Sequence, residues 1–308
     1  ARFLAEILQK GIVARFASSP FRLEGKSYPA GTVVITRADN RKNDQFDQIV
    51  QSAAGAFQQE ITAASTGFAD SGRDLGSDAM TLIHAPKVAV LSGESTFDNE
   101  FGQVWYYFEQ DLRYPLSIFD ADELGRLDLS DYNVLVMPGG RLIAIGYANA
   151  SLEDKKGFSL TTYATEDAKS SANTARDEDL LARRLMRHED HSRDWLSSSN
   201  PGSIFKLRLD NSHPLGYGLP DYYFSLKTNN LHYQHLKGVS NVGTVGDEPM
   251  ISGFIGSKAR AEQKNTTVFG VEQKGGGAVI YMIDNPLFRG FWENGKLLFS
   301  NAVFFAGR

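Results

Sequence analysis

The chain has 308 residues, of which 42% are hydrophobic, with a formal charge of −5 at pH 7 and no cysteine. This is enough apolar material for a sizeable core and, at ~100–200 residues per domain, for two units. The acidic balance and the absence of a long Lys/Arg block argue against nucleic acid, no apolar run approaches the ~20 residues that cross a bilayer, and the missing cysteine removes disulfides, thiolate zinc sites and thiol nucleophiles without fixing the compartment.

The opening "ARFLAEILQKG" is expected to form an amphipathic helix over residues 3–9 rather than a signal peptide, because Glu6 and Lys10 stand among its apolar positions. Its first residue is Ala, so the chain is expected to begin inside a longer product. A strand follows over 12–17, then turns at Gly25 and at Pro29-Ala30-Gly31, and a β-branched strand over 32–36. Residues from about 45 to 62 read as a helix. The Gly-, Asp- and Ser-rich stretch after it marks residues 67–85 as a linker, which leaves residues 1–66 as an incomplete α/β segment.

From residue 86 the pattern is clearer. "PKVAVLSG" reads as a strand, "FGQVWYYFEQDLRY" as a helix, and "PLSIFD" and "YNVLVMPGG" as two further strands. That order predicts the start of a doubly wound parallel sheet. Ligands in such sheets meet the C-terminal strand ends, so the candidate crevice comprises Gly93, Glu94, Glu100, Asp120, Pro138, Gly139 and Gly140. These Gly and Pro residues also serve simply as strand terminators. A second apolar run, 142–145, follows 134–137 almost at once. Parallel strands need a crossover of about a dozen residues, whereas a Gly-Gly link suits a hairpin. Both runs are apolar throughout, as in strands covered on both faces, so the favoured reading is a parallel pair whose connecting segment is missing between Pro138 and Arg141.

Residues 165–195 are strongly charged and helix-compatible, with Leu180, Leu181, Leu185 and Met186 forming a narrow apolar stripe. "GSIFKLRLD", "YYFSLK", "PMISGFIG", "TTVFGVEQ" and "GAVIYMID" then supply short strands, and "QKGGGAVIY" is expected to be a hairpin turn rather than a phosphate loop. The end, "FRGFWENGKLLFSNAVFFAG", predicts an aromatic loop and a buried helix.

Several of these stretches carry a family resemblance. "TGFADSGRDLGSD", "PKVAVLSGE", "GQVWYYFEQDLRYPLSIFD", "SIFKLRLDNSHPLGYGLP" and "PLFRGFWENGKLLFSNAVFF", with "PFRLEGKSYPAGTVVI" upstream, resemble the C-terminal half of large secreted proteins of the M14 zinc-carboxypeptidase family, of the type found in Bacteroidetes. The resemblance covers most of the chain, although none of these motifs is catalytic. It implies a flavodoxin-like, class I glutamine amidotransferase-like α/β domain over residues 86–308. It also implies a separate N-terminal peptidase domain as partner, with zinc confined to that domain, and a secreted or periplasmic location.

The chemistry of that family is missing from these residues. A peptidase zinc site uses His-x-x-Glu with a later His, yet none of the six histidines has Glu three residues later. His188 with His191, and His232 with His235, have a spacing that suits one helical face, but surface positions explain them as well. Amidotransferase chemistry needs a thiolate, a His and an orienting carboxylate, and the family's catalytic cysteine lies shortly beyond a Pro-Gly-Gly turn like Pro138-Gly139-Gly140. Neither that cysteine nor a Gly-x-Ser-x-Gly elbow occurs here.

His213 and Pro214 are expected to shape a turn. Phe288, Arg289, Phe291 and Trp292 form a candidate interface, since Arg–aromatic clusters often serve binding; closing the core is the alternative. The leading functional reading is a non-catalytic accessory or interaction region of a zinc-carboxypeptidase-like protein. The other is a hydrolase or transferase with a noncysteine site at the strand ends, using Glu94, Glu100 or Asp120.

Overall fold

A computed structural model describes residues 1–139, 181, 184–235 and 238–307. The fold is mixed α/β with several sheets, and the chain divides into two compact units: Ala1–Gly157 with Asn211–Leu219 and Pro286–Arg308, and Phe158–Asp210 with Pro220–Asn285.

The first unit opens with α1 (Arg2–Gln9), which buries Phe3, Leu4, Ile7 and Leu8 along one face. Strand β1 (Ala14–Ala17) is the centre of a three-stranded antiparallel sheet between β4 (Val33–Val34) and β5 (Met80–Ile83). The 67–85 segment expected as a linker therefore contains a sheet strand. Arg15 on β1 forms a two-pronged ion pair with Asp39, at 2.8 and 3.0 Å. Between β1 and β4, β2 (Phe21–Leu23) and β3 (Lys26–Tyr28) form a hairpin whose turn uses the left-handed Gly25, φ +78°. Helix α2 (Phe46–Phe57) stops five residues short of the sequence reading because Gln58 turns left-handed, with φ 51°.

The parallel elements fall where the sequence put them. Strands β6 (Val88–Ser92), β7 (Leu116–Asp120) and β8 (Val134–Val136) form a parallel sheet in the order β7-β6-β8. Val88, Ala89, Val90 and Leu91 are all buried, as expected of a central strand. The run 142–145, expected as a neighbouring parallel strand, lies outside the described residues, and so does the proposed break before Arg141.

The crossover from β6 to β7 runs through α3 (Asp98–Tyr106), which continues as a π-helical turn over Tyr107–Leu112. Tyr107 there contacts the Ser300 hydroxyl and donates to the Lys296 carbonyl at 3.1 Å, both on the C-terminal helix Glu293–Phe304. Burial pushes its phenol up to about 12. Asp111 in the same turn pairs with Arg2 of α1 and Lys296, each at 3.0 Å. The C-terminal helix (Glu293–Phe304) is buried as expected, and Asn301 donates to the carbonyls of Leu215 and Tyr217. The nearby 3-10 turn Pro214–Gly216 is capped by His213, whose Nδ1 accepts from the Leu215 amide, so His213 and Pro214 do shape a turn.

The second unit is built on a seven-stranded antiparallel sheet: β9 (Gly202–Leu209), β10 (Tyr222–Lys227), β11 (Tyr233–Gln234), β12 (Ser240–Val245), β13 (Ile251–Phe254), β14 (Thr266–Lys274) and β15 (Gly277–Met282). Its main path is β10-β9-β12-β14-β11, with β13 also on β9 and β15 also on β14. The glycine-rich "QKGGG" is the β14–β15 hairpin turn, as expected. Two short helices, α4 (His191–Ser197) and α5 (Ser257–Glu262), complete the unit.

In its core, Tyr223 meets Phe269 edge to face, while Lys227 and Asp284 form an ion pair at 2.9 Å. Strand β10 turns Tyr223, Ser225 and Lys227 inward and leaves Tyr222 and Phe224 exposed. Hydropathy alone assigns the opposite faces; the buried carboxylate of Asp284 makes the inward Lys227 tolerable.

Candidate functional site

The loops that follow the three parallel strands, with the start of α3, carry the described residues of the candidate crevice. The strand order sends the chain from β6 outward to β7 and back across to β8, so the ends of β6 and β8 form the switch point where open parallel sheets accept ligands.

Gly93 leaves β6 at φ +103°, and a Cβ at this position would stand 2.7 Å from Asp120 Oδ1. Only glycine combines that backbone with so close a carboxylate. Asp120 in turn accepts from the Asp122 amide at 2.9 Å, closing a small turn after β7. Ser95 donates to Asp122 Oδ1 at 2.5 Å, which joins the β6 loop to the β7 loop. The hydroxyl and the amide of Thr96 both donate to the Gly93 carbonyl, at 2.9 and 3.0 Å. The Phe97 amide donates to the Gly139 carbonyl at 2.7 Å, tying the same loop to the end of β8.

Glu100 belongs to the first turn of α3, and its carboxylate abuts Gly139, where a Cβ would displace the end of the Glu100 side chain. Pro138 is buried beside it, whereas Glu94 and Asp120 are exposed. The structure thus connects Gly93 with Asp120 and Glu100 with Gly139; Gly140 lies outside the described residues. Asp98 and Glu100 place carboxylates at the positive end of α3, which leaves that end ill suited to an anion.

Sequence reasoning missed Ser95, Thr96 and Asp122. The available signal was Asp120-Ala121-Asp122, where an Asp followed two residues on by a free amide closes an Asx turn. Chemically, the site offers carboxylates and two hydroxyls, each hydroxyl already donating to a neighbour. None of the six histidines lies in the segments that build it.

The other two site expectations separate in the same way. His188 and His191 have ring centroids 6.2 Å apart on an exposed 3-10 turn and the start of α4. His232 and His235 do not share a helical face, because they flank strand β11, where residues three apart point to opposite sides. Their Nδ1 atoms lie 2.9 Å from the Asn230 carbonyl and 3.1 Å from Thr267 Oγ1. Among the described residues, no group of three or more His, Asp or Glu side chains is placed to hold a metal ion.

Phe288, Arg289, Phe291 and Trp292 do form one cluster. Arg289 is held left-handed, φ 50°, with its guanidinium 5.2 Å from the Phe288 ring centre, while Phe291 meets Phe288 at 5.9 Å and Trp292 at 6.0 Å. Gly290 lies against the Tyr106 ring of α3. Phe291 is 58% exposed, with Tyr106 and Trp105 at 50% and 44%. Among the described residues, no helix is long and apolar enough to cross a membrane. Comparison of the chain with protein-family models, with curated proteins and with solved structures finds no match.

Proposed function

We propose that this chain is a non-catalytic accessory or interaction region of a secreted or periplasmic zinc-carboxypeptidase-like protein, built on a flavodoxin-like, glutamine amidotransferase-like sheet. The observation that carries this reading is the closed hydrogen bonding at the strand ends. The loop occupies the position where such a sheet performs chemistry, yet Ser95 donates to Asp122 and Thr96 to Gly93, and the chain contains no thiol. The order β7-β6-β8 with a helical crossover supports the sheet assignment. The aromatic cluster around Phe291 supplies the apolar surface that a partner, the N-terminal peptidase-like part, would cover.

Two measurements test it together. Purified chain should carry no stoichiometric zinc by elemental analysis and show no chelator-sensitive carboxypeptidase activity. It should also bind the separately prepared peptidase-like part, less tightly after Phe291→Ala with Trp292→Ala. Zinc with chelator-sensitive activity, or failure to bind that part, overturns the reading. The alternative, a hydrolase or transferase with a noncysteine site at these strand ends, requires an activity abolished by Glu94→Ala or Ser95→Ala.

A further inference from the structure

The second unit carries a surface that the accessory role does not use. β10 presents Tyr222, Phe224 and Leu226 on one face and buries Tyr223, Ser225 and Lys227 on the other. A one-residue shift in register would exchange these faces and bring three apolar side chains into the core. The fold instead keeps a lysine inside and two aromatic rings outside, 39% and 38% exposed. Pairing with β9 sets Arg208 opposite Tyr222 and Lys206 opposite Phe224. Directly opposed residues share a face, so two cations alternate with two aromatics. Lys206 Nζ lies 4.6 Å from the Tyr222 ring centre, and the Tyr222 and Phe224 rings stand edge to face at 5.6 Å. On the far side of β9, Phe254 of β13 pairs with Gly202 and joins the same face, 50% exposed. None of β9, β10, β12 and β13 contains an Asp or Glu.

We propose that this face of β9, β10 and β13 binds an acidic oligosaccharide. The platform is a sheet face that carries exposed aromatic rings, which suits rigid sugar rings. The C–H faces of pyranose rings match the electron-rich faces of Tyr222, Phe224 and Phe254, and carboxylates on alternate sugars meet Lys206 and Arg208. Single-stranded nucleic acid also stacks on aromatics, but it brings a phosphate with every nucleotide. Against a chain of net charge −5, two cations offset few of those charges, which favours the more sparsely charged ligand.

Affinity electrophoresis of the full chain in native gels tests the assignment, with hyaluronan, in which carboxylate-bearing and neutral sugars alternate, neutral dextran and a single-stranded oligonucleotide as probes. Hyaluronan should retard the chain, dextran should not, and added salt should weaken the effect. Arg208→Gln and Tyr222→Leu should each weaken retardation at least about fivefold, as for an interface anchor, while Lys206→Arg retains it. Absence of retardation by hyaluronan, variants retarded as strongly as the wild type, or stronger retardation by the oligonucleotide overturns the proposal. Arg208 is exposed, so Arg208→Gln decides the matter even if Tyr222→Leu fails to fold.

Discussion

Replacing Lys227 by Met asks how much of the second unit rests on one buried ion pair. The side chains of Lys227 and Asp284 are 0% and 2% exposed, and the ammonium also donates to the Leu231 carbonyl at 2.6 Å. Met keeps most of the length of the side chain but leaves Asp284, among the described residues, with only the Ser225 hydroxyl, 2.6 Å from Oδ2. Burial already pushes the Asp284 carboxyl above its ordinary range, opposed by the Lys227 charge and by both hydrogen bonds. Without Lys227 it takes up a proton. Protonating a carboxyl of reference pKa ~3.9 at pH 7 costs about 4 kcal/mol, which caps the electrostatic loss. The lost hydrogen bond to the Leu231 carbonyl adds about 1 kcal/mol.

The expected loss is therefore about 5 kcal/mol at pH 7, near the top of the ~3–5 range for half of a buried pair. Its pH dependence has a definite sign. In the variant the folded pKa lies above the unfolded one, so the native state binds a proton that the unfolded chain lacks, and stability rises as pH falls. The loss shrinks as pH falls from 7 to 5, by at most ~1.36 kcal/mol per unit. Urea unfolding followed by far-UV circular dichroism measures both values. The double change Lys227→Met with Asp284→Leu should recover most of the loss, because an apolar pair needs no counter-charge. A pH 7 loss below ~1 kcal/mol, or one that is the same at pH 5, refutes the reasoning.

Three further outcomes are expected. Hydrogen bonding from Arg15 is the largest influence holding the Asp39 carboxyl below its usual range, so the pair stabilises the fold above the unfolded pKa of ~3.9 and this contribution fades as pH falls through the lower folded value. Acid unfolding of Arg15→Gln, compared with wild type, should show a stability deficit at neutral pH that vanishes in strong acid; a deficit that persists there contradicts the assignment. Gly93→Ala should lower stability by about 1–3 kcal/mol through its left-handed backbone and the carboxylate of Asp120, whereas Glu94→Ala stays within about 0.5 kcal/mol. Thermal melts of the two variants that coincide would remove the close approach from the account. Phe291→Ala with Trp292→Ala should lower the unfolding midpoint of the chain or weaken its association with the peptidase-like part, and a variant unchanged in both respects is incompatible with a packing role.

Much of the fold was legible because burial leaves strong patterns. β6 is apolar at four consecutive positions, as expected of a strand covered on both faces, and the Gly275-Gly276 turn announces the β14–β15 hairpin. The elements missed lack such a pattern. β12, "SNVGTV", mixes Ser, Asn, Gly and Thr, and it is a strand because β14 and β9 supply its hydrogen bonds. The π-helical turn after α3 leaves no trace in helical periodicity, and neither does the end of α2 at a left-handed Gln58. β10 misleads outright: reading Tyr222, Phe224 and Leu226 as core-facing is sound by hydropathy and reversed in the fold. The reversal depends on Asp284, 57 residues beyond Lys227, a separation no local window spans.

The candidate crevice was legible in position but not in chemistry, and the difference has a physical basis. Strand ends are fixed by Gly93, Asp120 and Pro138, whose backbone demands show in the sequence. What a site does depends on where its side chains send their hydrogen bonds, and this is set across loops. Ser95 is two residues from Gly93, yet its partner Asp122 is 27 residues away on the next loop. A nucleophilic hydroxyl needs a base that takes its proton and a third group that orients the base. Here the proton of Ser95 goes to a carboxylate whose own loop is already closed by Asp120, and the Thr96 proton goes to a backbone carbonyl. The same bonds fasten the β6 loop to β7, while the Phe97 amide fastens it to β8. They give the loop a structural task that accounts for its polar groups without a substrate.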